Sequence, residues 1–417
     1  MTAADPPPAQ AARAALAYAP VHLLAGERDA DAPDETVGLC LSGGGYRAML
    51  FHAGALLRLN ELGLLSRVDR VSAVSGGAVT AAVLGWRWAR LEFRAGVARN
   101  LAAEVVAPLR ALARSTVDVP AIVLGAVAPG AVNVHLADHY RRHLFGPPAP
   151  SPWTGRPGSE PTLQDLPDRP RVVLNATNLE SGVLWRFSRR EMADYRVGRV
   201  PAPRVSLARA VAASSAFPPF LSPQRLRVDP GAYAPDAGEF GEVADLTGAR
   251  YREEVTLSDG GVYDNLGLET AWKRCRTLLV SDGGGMLAAA PDVPADWARQ
   301  MVRVTQVIDG QVRSLRRRQL VEGFRAGVRD GAYWSIRSTP SHFPVPDPLL
   351  PASDAVSRAR VVPTRLAALP DDVQEALLDW GYAACDLGIR GHVLPDAPRP
   401  TALPSQRGPL PEASPAH

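Results

Sequence analysis

Short apolar runs with β-branched residues recur along the chain, and between them lie stretches whose apolar positions repeat at helical spacing. Residues 36–41, 68–74, 171–177, 254–257 and 277–280 are predicted strands, and residues 47–62, 78–90, 207–215 and 266–274 are predicted helices. This alternation is the pattern of an α/β fold, a mostly parallel sheet covered by helices on both faces. Two longer helical stretches, 297–326 and 371–385, are expected to pack outside the sheet. Pro-rich sequence with few large apolar side chains cannot offset the entropy lost on ordering, so residues 1–34 are expected to be a flexible leader and 392–417 a disordered tail. Residues 146–170 and 229–250 share that character and read as insertions in one folded domain, 35–338, which a helical extension over 339–391 follows. The sequence contains no internal repeat.

Composition narrows the classes. Of 417 residues, 46% are hydrophobic and 21% charged, which excludes a chain disordered throughout. The net charge is only +3, and the 46 basic residues include a single lysine, Lys273. No interleaving of basic and aromatic residues of the kind that stacks bases is present, so no nucleic-acid partner is expected. Cys40, Cys275 and Cys385 are too few and too scattered for a disulfide framework or a zinc site, which points to a reducing, cytoplasmic setting. The start of the chain lacks the basic and apolar regions of a signal peptide. The most apolar stretch, 117–136, is interrupted by Pro120, Gly125, Pro129 and Gly130, so no transmembrane helix is expected.

Three strand-to-helix turns carry the chemistry. The first is Leu41-Ser42-Gly43-Gly44-Gly45-Tyr46-Arg47-Ala48, directly after a strand and before an amphipathic helix. Glycines there let backbone N–H groups converge at a helix N-terminus, a place suited to a phosphate or to the oxyanion of an acyl-transfer intermediate. Residues 43–48 also satisfy the dinucleotide fingerprint G-x-G-x-x-[GA], which further requires an acid at the end of the second strand. That strand runs instead into Ser75-Gly76-Gly77, and Asp69 stands at its wrong end. A tight turn with no ligand is the plain alternative.

The second turn, Val71-Ser72-Ala73-Val74-Ser75-Gly76-Gly77-Ala78, has the form of a nucleophile elbow, with Ala73 where G-x-S-x-G begins with Gly. Ser75 could equally be an N-cap of the following helix. In the third, Ser258-Asp259-Gly260-Gly261-Val262-Tyr263-Asp264-Asn265-Leu266-Gly267, an acid and two glycines follow a strand at the edge where parallel α/β proteins place their sites. An Asx turn or helix cap would also explain Asp259 or Asp264. Ser281-Asp282-Gly283-Gly284-Gly285 is a second candidate of the same form.

In this order the three elements resemble the patatin-like phospholipases, whose pattern is a G-G-G-x-R-[GA] turn, a G-x-S-x-G elbow on the next strand and a later D-G-[GA]. The match runs from about Thr36 to Leu287, and residues 212–219 and 175–182 are similar to family blocks between elbow and acid. The extended wording after Asp259 selects it over Asp282. The resemblance implies a three-layer α/β/α fold and a lipid acyl hydrolase that needs no metal or other cofactor and works through a Ser-Asp dyad. Ser75 would be the nucleophile and Asp259 the general base. Gly43, Gly44 and Gly45 would form the oxyanion hole, with Arg47, Gly76, Gly77, Gly260 and Gly261 in support. A phospholipid or related acyl lipid would be the substrate, and the apolar segment 117–131 a lid or groove wall. Two rival readings remain beside it: a non-catalytic member that binds a lipid or a partner, and a dinucleotide-dependent oxidoreductase.

Two further features call for a reading. His135, His139 and His143 recur at helical spacing, but no ligand motif accompanies them and a packed or solvated helix explains them without a metal. Arg313, Arg316, Arg317, Arg318, Arg325 and Arg329 lie along one predicted helix. They read either as a solvated face or as a peripheral contact with an anionic membrane.

Overall fold

A ten-stranded sheet runs through the structure, a computed structural model that describes residues 34–117, 131–146, 160–235, 245–285 and 287–408. Its strands in chain order are β1 (Asp34–Leu41), β2 (Arg70–Val74), β3 (Arg171–Asn178), β4 (Val183–Ser188), β5 (Glu191–Asp194), β6 (Gly198–Pro201), β7 (Gln224–Arg227), β8 (Glu254–Asp259), β9 (Cys275–Asp282) and β10 (Asp330–Ser335). Five of them, in the order β10-β9-β1-β2-β3, are parallel neighbours, as the alternation of strand and helix predicts. Beyond β3 the sheet continues antiparallel through β4, β5 and β6, and β8 and β7 pair antiparallel as well. Short strands such as β5 and β6, four residues each, carry too little periodicity to be read from the sequence.

The helices used below are α1 (Gly45–Glu61), α2 (Gly76–Arg87), α3 (Ala131–His143), α4 (Leu207–Ser214), α5 (Trp297–Arg325), α6 (Ser353–Val361) and α7 (Asp371–His392). Side-chain alternation along the central strands feeds two separate cores, one on each face of the sheet. Leu39 and Leu41 of β1 join Leu50, Leu56, Trp380 and Leu377 in the larger one, whereas Cys40 packs with Leu278, Trp272 and Leu320 in the smaller. The result is three layers. Helix α7 lies directly on α1, so closely that a β-carbon on Gly54 would be 2.0 Å from the Leu378 carbonyl oxygen.

Two expectations need correction. The helix predicted over 266–274 is reduced to the single turn Glu269–Trp272, because Gly267 takes a φ of 66° and the Asp264 carboxylate accepts from the N–H groups of Leu266 and Glu269. The tail expected from residue 392 begins with a packed stretch: Leu403 is buried, Ser405 donates to the Asp379 carboxylate at 2.5 Å, and Arg407 pairs with Glu61. One apolar anchor, one hydrogen bond to a carboxylate and one ion pair hold residues that composition alone marks as loose. Residues 1–33, 118–130, 147–159, 236–244 and 409–417 lie outside the described residues, and with them most of the leader, the proposed lid, the first half of one insertion and the middle of the other, and the end of the tail.

One topological detail positions the site. Strand β2 pairs with β3 over Arg171–Asn175 and stops at Val74. On the same edge of β3, Ala176, Thr177 and Asn178 pair with Asp259, Ser258 and Leu257 of β8. Because β8 runs antiparallel to β3, its last residue, Asp259, arrives head-on at the end of β2, where Ser75 follows.

Candidate active site

The glycine turn connects β1 to α1 through Gly44, whose φ of 146° is a left-handed value that favours glycine. Its three amides are not equivalent. Gly43 N–H donates to the Asn265 carbonyl at 2.9 Å, so it is committed to the fold, whereas the amides of Gly44 and Gly45 have no acceptor among the described residues. Arg47 donates to the carbonyls of Gly283 at 3.0 Å and Val362 at 2.5 Å and to Thr364 Oγ1 at 2.7 Å, tying the turn to two distant loops. Beneath it lies a residue that sequence reasoning left without a role. His52 on α1 is fully buried, with Nε2 2.9 Å from the Ser42 carbonyl and Nδ1 2.8 Å from Ser281 Oγ. Burial pushes the imidazole down to about 4, so it is neutral at pH 7; Nε2 donates to Ser42 and Nδ1 accepts from Ser281. No sequence motif marks this bridge between β1 and β9.

Ser75 adopts φ 53° and ψ −121°, a conformation that costs a non-glycine residue on the order of 1–3 kcal/mol. It stands at the N-cap position of α2, yet its hydroxyl makes no capping bond, which removes the N-cap explanation. Its strained backbone is held by Ser214 at the end of α4: Ser75 N–H donates to Ser214 Oγ at 2.9 Å, and that hydroxyl donates to the Asn175 carbonyl at 2.6 Å. The elbow presses against the glycine turn, since a β-carbon on Gly76 would fall 2.2 Å from the Gly45 carbonyl oxygen. Gly77 N–H donates to the Ser42 carbonyl at 3.1 Å. Ala73 is fully buried between Leu41 and Leu174 in the register, and its methyl is accommodated there.

Asp259 is 2% exposed. Burial pushes its carboxyl up to about 7, against the opposing effects of the Gly261 N–H and the Ser75 hydroxyl, which favour the charged form. Gly261 N–H reaches Oδ1 at 2.7 Å, the Asx contact foreseen as an alternative, but it occupies only one oxygen. Oδ2 is buried with no hydrogen-bond partner among the described residues. Gly260 has no room for a side chain, since a β-carbon there would lie 2.3 Å from the Asn175 carbonyl oxygen. The rival Asp282 differs in kind. Its Oδ1 accepts from Gly284 N–H at 2.9 Å and its Oδ2 from Tyr333 Oη at 2.8 Å, so both oxygens are engaged.

The remaining candidates disperse. Asp69 accepts from Val37 N–H at 2.8 Å and pairs with Arg169, at the opposite end of β2 from the elbow. His139 is buried on α3 beside Ser115 Oγ, 3.1 Å away, and among the described residues no group of three or more His, Cys, Asp or Glu is placed to hold a metal. The arginine run splits: Arg313 and Arg316 turn inward to Asp282, Asp309, Asp264 and Glu269, and Arg329 is buried against Trp272. Arg317, Arg318 and Arg325 remain exposed. The sequence reading did not single out the apolar side chains exposed on the same helix, among them Trp297 (79%), Met301 (57%) and Ile308 (58%).

The sequence profile of the family described as patatin-like phospholipase matches residues 39–272. No curated protein matches the chain. Among solved structures, human GIVD cytosolic phospholipase A2 is similar at 15% identity with a TM-score of 0.47, over 93% of this chain and 65% of that one. VipD from Legionella pneumophila is similar at 17% identity with a TM-score of 0.30, over 84% of this chain and 67% of that one. The chain thus spans about 65% of the length of the human protein it matches.

Proposed function

The chain belongs to the patatin-like phospholipase family, and from that premise we propose that it hydrolyses carboxylic esters of lipids through an acyl-enzyme, with Ser75 as nucleophile and Asp259 as general base. The observation that carries this reading is a strained, uncapped serine beside a buried carboxylate whose second oxygen has no partner among the described residues. As Ser75 Oγ attacks the ester carbonyl carbon, its proton passes to Asp259, and the carbonyl oxygen becomes an oxyanion. The amides of Gly44 and Gly45, at the positive end of the seventeen-residue α1, are free to receive it. Collapse of the tetrahedral species expels the alcohol, which takes the proton from Asp259. Water then attacks the acyl-enzyme, again giving its proton to Asp259, and Ser75 leaves reprotonated with the carboxylic acid as product. A base titrating near 7 can both accept and return that proton at neutral pH. Gly43 supports the turn rather than the oxyanion in this scheme, and Arg47, Gly76, Gly77, Gly260 and Gly261 hold the three turns together.

The substrate surface belongs to the same reading. Trp297, Met301, Val304, Ile308 and Leu315 fall within about 60° of one another around α5 at 100° per residue, and all are exposed. Arg299 and Arg317 lie on the other side of the helix and Arg318 flanks the stripe, the arrangement of an element that rests in an anionic lipid interface. Further along α5, on its inward side, Asp309 acts electrostatically on Asp259, so the helix passes near the site. No described helix is long and apolar enough to cross a membrane. The three cysteines are buried and unpaired, in keeping with a cytoplasmic protein that meets the membrane at its surface.

Labelling with a fluorophosphonate, followed by intact-mass and peptide analysis, tests the dyad. A single adduct on Ser75, absent in Ser75→Ala and greatly slowed in Asp259→Asn, is the expected result. If the folded wild type takes no label, the acyl-enzyme reading fails and the non-catalytic, lipid-binding alternative stands.

A further inference from the structure

At the other end of the parallel strands, four arginines line one narrow cleft on the face of the sheet. Arg70 opens β2, Arg171 opens β3, Arg186 lies on β4 and Arg274 precedes β9. Glu191 is the single carboxylate among the lining residues, 3.4 Å from Arg171 and 3.8 Å from Arg186. Arg70 is half-buried and makes no ion pair or side-chain hydrogen bond among the described residues, and Arg171 Nε is buried without a partner among them. Burial and then the neighbouring Arg171 push the Arg70 guanidinium down to about 10, so it stays charged at neutral pH while being repelled. Cations that have lost water and face one another across a cleft are unfavourable unless an anion completes the set.

We propose that Arg70, Arg171, Arg186 and Arg274 form a binding site for a phosphate group, distinct from the Ser75 site. The cleft itself is small, about 10 Å³ or little more than one water, and is open to solvent on one side, so an oxyanion would rest at its mouth and an acyl chain is excluded. Guanidinium groups present paired N–H donors that match phosphate oxygens, and an anion at the cleft would relieve the repulsion between Arg70 and Arg171. Five residues of β2 at about 3.3 Å each separate Arg70 from Ser75 by about 16 Å, so an ester at Ser75 and a phosphate at Arg70 occupy opposite ends of the strand. The inference does not rest on the Ser-Asp reading.

The test is thermal denaturation and calorimetric titration of the full chain in inorganic phosphate, against chloride at equal ionic strength. The wild type gains stability saturably with phosphate. Arg70→Gln and Arg171→Gln lose that gain, with affinity falling by about tenfold or more. Arg225→Gln, on an exposed side chain, keeps it. In phosphate-free buffer Arg70→Gln melts no lower than the wild type, because a repelled charge has been removed. Glu191→Gln, which removes the competing carboxylate, binds phosphate more tightly. Flotation with phosphatidylcholine vesicles, with and without phosphatidic acid, separates the sources: flotation that needs phosphatidic acid and Arg70 identifies a lipid headgroup, and a phosphate response without it identifies a soluble phosphate. Three results overturn the proposal: phosphate no more stabilising than chloride, Arg70→Gln destabilised without phosphate, or weaker phosphate binding in Glu191→Gln.

Discussion

Asp259→Asn isolates the buried carboxylate, because it removes the charge while preserving size and the oxygen that accepts from Gly261 N–H. Burial raises the carboxyl from 3.8 to about 7, so the native state holds the proton more tightly than the unfolded chain does. The stability that follows is fully present at and below pH 4 and is lost as the pH rises through 7. The interval from 3.8 to about 7 corresponds to about 4 kcal/mol. Asparagine removes that dependence and introduces an amide N–H₂ where Oδ2 has no partner among the described residues, which costs about 1–3 kcal/mol at every pH. The variant is therefore the less stable protein near pH 4.5, by up to about 2 kcal/mol, and the more stable one near pH 8.5 by about 1–3 kcal/mol. Urea titrations followed by tryptophan fluorescence at intervals between these pH values measure it, and the difference in midpoint changes sign while moving by about 1 M. A difference that stays constant across the range refutes the reasoning, since it would mean that Asp259 titrates alike in the folded and unfolded chains.

Catalysis runs the other way with pH, because the base must be ionised: kcat/KM for a soluble ester climbs about tenfold per pH unit below 7 and levels off above it. A flat profile from pH 5 to 8 would exclude Asp259 as the base. Gly76→Ala places a β-carbon 2.2 Å from the Gly45 carbonyl oxygen and forces elbow and glycine turn apart. Fluorophosphonate labelling is expected to slow by about 100-fold while the far-UV dichroism is retained. Trp297→Asp combined with Met301→Asp is expected to weaken flotation with anionic vesicles by about tenfold or more and to leave turnover of a soluble ester unchanged. Equal loss of both activities would place those residues in the fold rather than at a lipid surface.

Local chemistry was legible in the chain itself. A strand, a run of glycines and a helix can be joined only by a turn like that at Gly44, and small residues on both sides of Ser75 mark a place where backbones touch. Such signals lie within a few residues of one another, so neither they nor the strands β1, β2, β3 and β9 of a mostly parallel sheet needed tertiary information, whereas the edge strand β10 and the strand order did. The wording around Asp259 singled it out through a family resemblance, while its physical distinction from Asp282 is a property of neighbours remote in sequence. Tyr333 and Gly284 engage both oxygens of Asp282, and no described residue reaches Oδ2 of Asp259. Only the tertiary structure commits the Gly43 amide to Asn265, brings Asp259 to the end of β2, divides the arginines of α5 between buried pairs and solvent, and gathers Arg70, Arg171, Arg186 and Arg274 around one cleft. The physical reason is the same in each case. Desolvation and hydrogen-bond satisfaction depend on every group within a few ångströms, and for a buried side chain most of those groups come from other parts of the chain.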